Sequence, residues 1–178
     1  DTAILPRLQE RMAQIAAAYD GAFYDPANGW YDEGEQTAGA LPLLFGMVPA
    51  EKRAQILQSV LDGIRVRRKG HLDTGIYGTK FLPMLLADEG YADVVLDAFF
   101  QPTYPGYGYE LSKGATTVWE QWWERGDMAS HNHGMFGGGG TFFIRNLLGL
   151  RQVEDGCRRV VIRPCKTHRL HEAEGALH

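Results

Sequence analysis

The first twenty residues carry a regular apolar pattern. Apolar side chains recur there at intervals of three and four residues, at Ile4, Leu8, Met12, Ile15 and Tyr19. This spacing predicts one apolar stripe along an α-helix, because a helix completes a turn in about 3.6 residues. Asp-Pro and Asn-Gly pairs follow within residues 21–32 and are typical of a loop. We therefore expect the first helix to end there.

Similar apolar spacings predict further helices along the chain. The predicted helices cover residues 36–45, a segment from about residue 50 with Leu57, Val60, Leu61 and Ile64 on one face, and residues 78–88, 92–100 and 133–148. Connections rich in glycine and aromatic residues separate them, at residues 69–77, 102–109 and 126–140. The last apolar run, Val160–Ile162, is short and β-branched, which indicates a strand.

The alternation of helices and loops predicts an all-α fold. Antiparallel helix pairs whose long loops gather at one end form an α/α toroid, with a ligand site at the loop-rich mouth. The six predicted helices make about three hairpins, so we expect an incomplete toroid followed by a short C-terminal strand. The end helices of such an arc expose apolar faces. A homodimer, in which a second copy covers these faces, is therefore one expectation.

Composition narrows the possible functions. The formal net charge of −4 argues against a nucleic-acid-binding face, which would be basic. No apolar run approaches the roughly 18 residues of a membrane span. Cys157 and Cys165 fit neither a disulfide framework nor a metal-binding spacing. We interpret them as free thiols in a reducing compartment such as the cytoplasm, or as small packing residues, and no residue cluster predicts a cofactor.

Residues 114–137 carry the candidate chemistry. Within them a carboxylate, Glu120, stands among three tryptophans, and two histidines follow, so that the set comprises Trp119, Glu120, Trp122, Trp123, His131 and His133. A carboxylate beside flat apolar rings suits a sugar, because the rings cover the apolar faces of the sugar and the acid moves protons. Glycoside hydrolysis needs a second carboxyl group. Glu110 and Glu124 are the alternatives for this second carboxyl group. The sequence gives no reason to place either of them across the sugar from Glu120.

Other interpretations of the same residues remain. A His-x-His zinc site completed by Glu120 or Asp127 is chemically possible but lacks a full ligand set. The glycines at 137–140 are not followed by the Lys-Ser/Thr of a phosphate loop, and we interpret them as a flexible or tightly packed helix entry. His71, Asp73 and Thr74 could reach the same mouth, although hydrogen bonds that cap their own loop are the simpler interpretation.

An ordered series of motifs resembles one known family. Gly-Ala-Thr-Thr-Val-Trp-Glu and then Ser-His-Asn-His-Gly-Met-Phe-Gly resemble the C-terminal half of the catalytic domain of bacterial α-L-rhamnosidases, glycoside hydrolase family 78. Supporting similarities occur in the expected order, at residues 36–38, 46–49, 70–79, 88–91, 104–105, 108–109 and 161–164. Each motif is weak alone, whereas the ordered series covers most of the chain.

The resemblance implies a fold and a set of roles. The family has an (α/α)6 barrel and hydrolyses terminal α-L-rhamnosides with inversion. Glu120 matches its general base, and His133 matches the histidine that hydrogen-bonds the rhamnose hydroxyls. Trp119 is next to the base in the motif. Independently of the resemblance, the adjacent Trp122 and Trp123 are expected to point in different directions, one into the sugar pocket and one into the core; Trp122 is our candidate for the pocket, although the sequence alone does not decide between them. Tyr107 stands where many members carry tryptophan. It is therefore a candidate substrate contact in which a tyrosine replaces the tryptophan.

The chain matches only part of the family's catalytic domain, and this limits the activity that we expect of it. The family's general acid lies ahead of the region that this chain matches, so we expect the chain alone to be inactive. Residues 1–155 correspond to the second half of the barrel, and residues 156–178 to the opening of a following β-sandwich. Two alternatives are a non-catalytic helical domain and another (α/α)6 glycosidase, such as a fucosidase-like or trehalase-like enzyme.

Overall fold

The computed structural model describes residues 2–123 and 130–175 and is mostly helical. After a 3₁₀ turn at Thr2–Ile4, its α-helices and short strands follow in this order: α1 Leu5–Phe23, β1 Tyr24–Asp25, β2 Trp30–Tyr31, α2 Gln36–Leu44, α3 Arg53–Asp62, α4 Ile76–Asp88, α5 Ala92–Phe99, α6 Tyr107–Ser112, α7 Gly140–Phe142, β3 Leu150–Gln152 and β4 Val160–Ile162. A π-helical turn at Gly63–Arg67 extends α3.

Helices α2 to α5 form the core, with α4 in the middle. Helix α4 packs against α2, α5 and α7, and α2 also packs against α3. The face predicted for α3 is confirmed in Val60, Leu61 and Ile64, which are buried. At Gly39 of α2 an added Cβ would lie 2.6 Å from the Cγ2 atom of Val60, so the absence of a side chain lets the two helices approach closely.

Helix α1 exists as predicted, but its apolar stripe is solvent-exposed. The four residues Ile4, Leu8, Met12 and Ile15 are between 47% and 58% exposed. Only the C-terminal part of the helix is tied to the core: the Tyr19 hydroxyl donates to the Ala38 carbonyl oxygen at 2.8 Å. The pattern therefore predicted the helix correctly, while the first four residues of the stripe stay exposed and only Tyr19, the fifth, packs against the described core.

The segment predicted as one helix at residues 133–148 consists of three successive helix types. A 3₁₀ segment at Gly134–Gly139 leads into α7, and a π-helical segment follows at Phe143–Leu147. Two glycines of the run are closely packed: a Cβ on Gly138 would lie 2.7 Å from the Lys80 Cβ, and one on Gly139 would lie 2.9 Å from the Tyr107 hydroxyl. Close approach to α4 and α6, rather than helix propensity, explains these two glycines.

Two short elements were predicted as loop. The β1–β2 hairpin lies within the loop predicted for residues 21–32, and α6 overlaps the connection predicted for residues 102–109. Both elements are shorter than the window over which hydrophobic periodicity is informative. The strand predicted at Val160–Ile162 is confirmed, and it pairs antiparallel with β3, so the boundary that we predicted after residue 155 falls between two paired strands.

Acidic side chains of α4 and α5 bind the C-terminal part of the chain. Asp88 accepts hydrogen bonds from Arg145 and Arg151 and from the buried Asn146 amide, at 3.0, 2.6 and 2.9 Å. In the tail, the Arg169 guanidinium donates to both Asp97 carboxylate oxygens, at 2.6 and 2.7 Å. Residues after β4 therefore pack on the helical core.

The remaining sequence expectations concern thiols and membranes. Both cysteines are free, with Cys157 exposed and Cys165 half-buried. Burial raises the pKa of the Cys165 thiol above its ordinary value. Within the described part of the chain, every helix is too short or too polar to cross a bilayer.

Candidate active site

Backbone hydrogen bonds bring Glu120 and the two histidines together. The Glu120 N–H donates to the Ser130 carbonyl oxygen at 3.1 Å, and the His133 N–H donates to the Val118 carbonyl oxygen at 2.7 Å. The Thr117 hydroxyl adds a bond to the His131 carbonyl oxygen. Residues 116–118 are Thr-Thr-Val, and β-branched side chains of this kind have a low helix propensity, in keeping with an irregular segment here. We call residues 115–120 the base loop.

Trp119 supports the base loop from within. Its ring is 4% exposed, and it stacks on the His131 imidazole with ring centroids 4.8 Å apart and planes inclined by 24°. The stack joins the same two chain segments as the backbone hydrogen bonds. The sequence predicted Trp119 as a substrate contact beside the base, and its described contacts are internal to the protein.

Trp122 joins three segments of the site. Its indole N–H donates to the Thr74 carbonyl oxygen at 2.8 Å, and its ring meets the rings of Tyr107 and Phe136 edge-on, at 5.0 and 4.5 Å. Trp122 is only 5% exposed. An indole N–H usually finds a partner when it is buried. The segment before α4, helix α6 and the 3₁₀ segment are thus packed around one ring.

Tyr107 completes this aromatic cluster. Its hydroxyl donates to the Phe136 carbonyl oxygen at 2.6 Å, and its ring meets Phe99 edge-on at 5.1 Å. The ring is half-buried, and desolvation raises the pKa of the phenol well above its ordinary value, so it stays a neutral donor. Tyr107 therefore fixes α6 against the segment that follows the histidines.

Four of the predicted site residues remain within reach of solvent. Glu120 and His133 are half-buried, His131 is exposed, and Trp123 is 38% exposed. The sequence predicted that Trp122 and Trp123 point in different directions, and the structure places Trp122 inside and Trp123 outside. Of the two neighbours, Trp123 has the open surface that a ligand could contact.

Glu110 has an environment that sequence reasoning missed. Its side chain is 3% exposed, and its Oε1 atom has no hydrogen-bond partner among the described residues. Desolvation raises the pKa of Glu110 to about 7. A carboxyl group this buried cannot contact a substrate. Glu124, the other alternative for a second carboxyl group, lies outside the described residues.

The loop residues that could have reached the mouth have structural contacts. Both His71 ring nitrogens are engaged, one with the Arg68 carbonyl oxygen and the other with the Thr103 hydroxyl, each at 2.9 Å. Asp73 forms an ion pair with Arg68. Thr74 is buried and hydrogen-bonds to Thr79. Residues 2–123 and 130–175 contain no group of three His, Cys, Asp or Glu side chains suited to a metal ion, and Asp127 lies outside them.

A half-buried carboxylate and histidines, gathered by loops on an arc of antiparallel helices, define the chain as a helical-hairpin domain of the glycosidase type. The family profile described as the bacterial alpha-L-rhamnosidase 6 hairpin glycosidase domain matches residues 6–147. The chain belongs to this family.

Known relatives agree with this assignment. An α-L-rhamnosidase from Alteromonas sp. (strain LOR) is 32% identical, over 96% of this chain and 20% of its own length. Among solved structures, the α-L-rhamnosidase from Dictyoglumus thermophilum has a TM-score of 0.84 and 34% identity, over 91% of this chain and 19% of its own. The Streptomyces avermitilis enzyme, solved with L-rhamnose, has a TM-score of 0.80 and 31% identity, over 93% of this chain and 16% of its own. The chain thus spans about a fifth of the length of these relatives.

Proposed function

We propose that this chain supplies the general-base side of an α-L-rhamnosidase active site, acting on rhamnose-containing glycosides or oligosaccharides. The observation that carries the proposal is the pairing of the base loop with residues 130–133, through the bonds from the Glu120 N–H to Ser130 and from the His133 N–H to Val118. Family membership supports the choice of a rhamnoside, and the relative solved with L-rhamnose supports the sugar.

Glu120 is proposed to deprotonate the water that attacks the anomeric carbon. In an inverting reaction this water adds from the face opposite to the leaving group, and the acid and base carboxyl groups stand roughly 6.5–9.5 Å apart to admit it. Glu120 is half-buried, which leaves it open to a water while it is still held by the paired loop. Glu120 would accept the proton while the bond between the water oxygen and the anomeric carbon forms. It would therefore stabilise the transition state more than the bound substrate.

His133 and Trp123 are the proposed sugar contacts. His133 is half-buried, and its backbone N–H is bound to the Val118 carbonyl oxygen. This bond does not use the imidazole, which is proposed to hydrogen-bond the rhamnose hydroxyls. Trp123 is 38% exposed, and an indole ring is of the type that covers apolar sugar faces. Trp119, Trp122 and Tyr107, which the sequence suggests as substrate contacts, are proposed to shape the site by packing around these two residues.

α-L-Rhamnosyl fluoride provides the direct test, because fluoride leaves without a proton from a general acid. We expect the chain to hydrolyse this substrate faster than α-L-fucosyl fluoride and to release β-L-rhamnose first, as followed by fluoride release and by ¹H NMR of the anomeric proton. Initial formation of the α-anomer would contradict inversion. Preference for the fucosyl substrate would support the fucosidase-like alternative, and no turnover of either would support the non-catalytic one.

We also propose that two copies of the chain associate through α1. The exposed stripe continues into a shallow apolar groove of about 310 Å³, which is lined by Met12, Ile15, Phe45 and Met47 among others. A second α1 that runs antiparallel can therefore bury the two apolar stripes against each other.

Sedimentation tests this association. We expect a concentration-dependent dimer for the wild-type chain and a monomer for Met12→Asp, because a charge in the stripe would have to be buried without a partner. Leu111→Asp, which adds a charge at an exposed apolar position on α6, is the matched control and should leave the dimer intact. A wild-type chain that sediments as a monomer at all concentrations would exclude the proposal.

A further inference from the structure

A cleft of about 800 Å³ lies between helix α5 and the π-helical turn that extends α3. Its lining includes the cations Arg65 and Lys69, the exposed ring of Phe100 and the amide of Gln101. Cations bind a carboxylate, an amide exchanges hydrogen bonds with hydroxyl groups, and a flat ring covers an apolar sugar face. We propose that this cleft binds a uronate, the carboxylate-bearing unit of an acidic oligosaccharide. The choice of a sugar as the carrier of the carboxylate rests on the proposed function.

The two cations of the cleft are available to a ligand. The neighbouring Arg68 forms an ion pair with Asp73, whereas Arg65 and Lys69 form none within residues 2–123 and 130–175. The Arg65 guanidinium carbon lies 5.7 Å from the centroid of the Tyr91 ring. This cation–π contact restrains the side chain without neutralising its charge. A carboxylate that enters the cleft therefore meets two positive charges without an acidic partner.

The carboxylates of the cleft are bound by the C-terminal tail. Asp97 accepts two hydrogen bonds from the Arg169 guanidinium, and Asp93 accepts one from the Thr167 hydroxyl and one from the His168 N–H, at 2.5 and 3.0 Å. The Thr167 bond lowers the pKa of Asp93, so this carboxyl group is ionised at neutral pH. Both acids are on α5, whereas the two unpaired cations follow α3. An anion is therefore favoured on the α3 side of the cleft.

The backbone of Lys69 supports a role for its charge. Lys69 has a φ of 51° and directly follows Arg68, the last residue of the helical turn. Glycine or asparagine is usual in this left-handed position, because a Cβ is disfavoured there. The turn itself therefore gains nothing from a lysine. The helix dipole also favours cations at this end, so stability and ligand binding have to be measured separately.

The cleft adjoins the loops of the candidate active site. Gly70 and Gln101 line the cleft, and the loops that follow them are joined by a 2.9 Å hydrogen bond between His71 and Thr103. Thr74, whose carbonyl oxygen binds the Trp122 indole, is four residues from Gly70, and such a segment spans at most about 14 Å. One oligosaccharide can therefore reach both sites, with a rhamnose at Glu120 and a uronate in the cleft.

Calorimetric titration of the whole chain with a trimer of α-1,4-linked galacturonate tests the proposal. We expect the wild-type chain to bind this trimer roughly tenfold or more tightly than maltotriose, which has no carboxylate. Arg65→Gln and Lys69→Asn should each weaken binding about 10–100-fold, as expected for a lost hydrogen bond between charged groups. Arg158→Gln removes the same charge at an exposed position in the C-terminal part of the chain and should bind like the wild type.

Two further measurements distinguish a sugar site from a simpler role. Lys69→Asn should leave the free energy of unfolding unchanged, because asparagine tolerates the left-handed backbone, so a loss of binding cannot be attributed to unfolding. Phe100→Ala should weaken binding of the trimer and leave any binding of inorganic phosphate unchanged. Phosphate that binds as tightly as the trimer, with no effect of Phe100→Ala on either, would mean an anion site without sugar recognition and would overturn the proposal.

The remaining outcomes separate this inference from the proposed function. Absence of trimer binding, or equal affinities for the wild type, Arg65→Gln and Lys69→Asn, would also overturn it. No turnover of α-L-rhamnosyl fluoride by the wild-type chain would refute the proposed catalysis instead. The titrations need no turnover and would still decide whether the cleft binds a uronate.

Discussion

Glu120→Gln is expected to reduce the hydrolysis of α-L-rhamnosyl fluoride by roughly 10²–10⁴-fold, the usual contribution of a positioned general base. Glutamine has the shape of the carboxylate but cannot accept the proton of the attacking water. Because fluoride needs no protonation to leave, the loss measures the base alone. The measurement is the rate of fluoride release at saturating and at low substrate concentrations, with kcat expected to carry most of the loss.

A second variant distinguishes a base from a residue that merely binds substrate. Glu120→Gly leaves a space beside the anomeric carbon, which azide can enter as a nucleophile that needs no deprotonation. Added azide should restore turnover and yield β-L-rhamnosyl azide, the inverted product. Glu51→Gln, at an exposed glutamate in the turn before α3, is the matched control and should retain wild-type rates. Failure of azide to rescue the glycine variant, or equal rates for Glu120→Gln and wild type, would refute the assignment.

Trp122→Ala is expected to lower the free energy of unfolding by about 3–5 kcal/mol, the range for removal of a large buried aromatic side chain. The substitution removes the ring against which Tyr107 and Phe136 pack, and it removes the 2.8 Å hydrogen bond from the indole to the Thr74 carbonyl oxygen. Urea denaturation followed by circular dichroism gives the change, with the slope of the transition checked for two-state behaviour.

The neighbouring tryptophan supplies the control. Trp123→Ala should cost about 1 kcal/mol or less, as expected for a partly exposed side chain, while it weakens the binding of rhamnosides. The two variants should therefore differ in what they change: Trp122→Ala mainly lowers stability, whereas Trp123→Ala mainly lowers substrate affinity. The reverse result would mean that Trp122 is the sugar contact suggested by the sequence.

The parts of the fold that sequence could predict are those with long apolar periodicity. Helices α2 to α5 begin and end within a few residues of their predicted bounds, because each buries a continuous face against a neighbour. Helix α6 has six residues and gave no such signal. The glycine run before α7 was ambiguous for another reason: its packing against Lys80 depends on α4, which lies far away in the sequence.

The grouping of the candidate site residues was predictable from the sequence, but their packing was not. The ordered motifs around Glu120 and His133 indicated which residues belong together, and the paired loop accounts for their proximity. The orientation of Trp122 and Trp123 could not be predicted, because adjacent residues in an irregular segment have no period to assign them. Burial of Glu110 was also hidden, since a glutamate in a short helix between loops is ordinarily solvated.

The pairing of the base loop with residues 130–133 makes the placement of the site residues independent of the segment that connects them. The proposed base and the proposed sugar-binding histidine are held where the two ends of this segment meet, by bonds from Glu120 to Ser130 and from His133 to Val118. Changes in the number of residues between Trp123 and Ser130 alter the entropy of loop closure only slowly. The proposed base and the proposed histidine can therefore keep their relative position while the length of this connection varies.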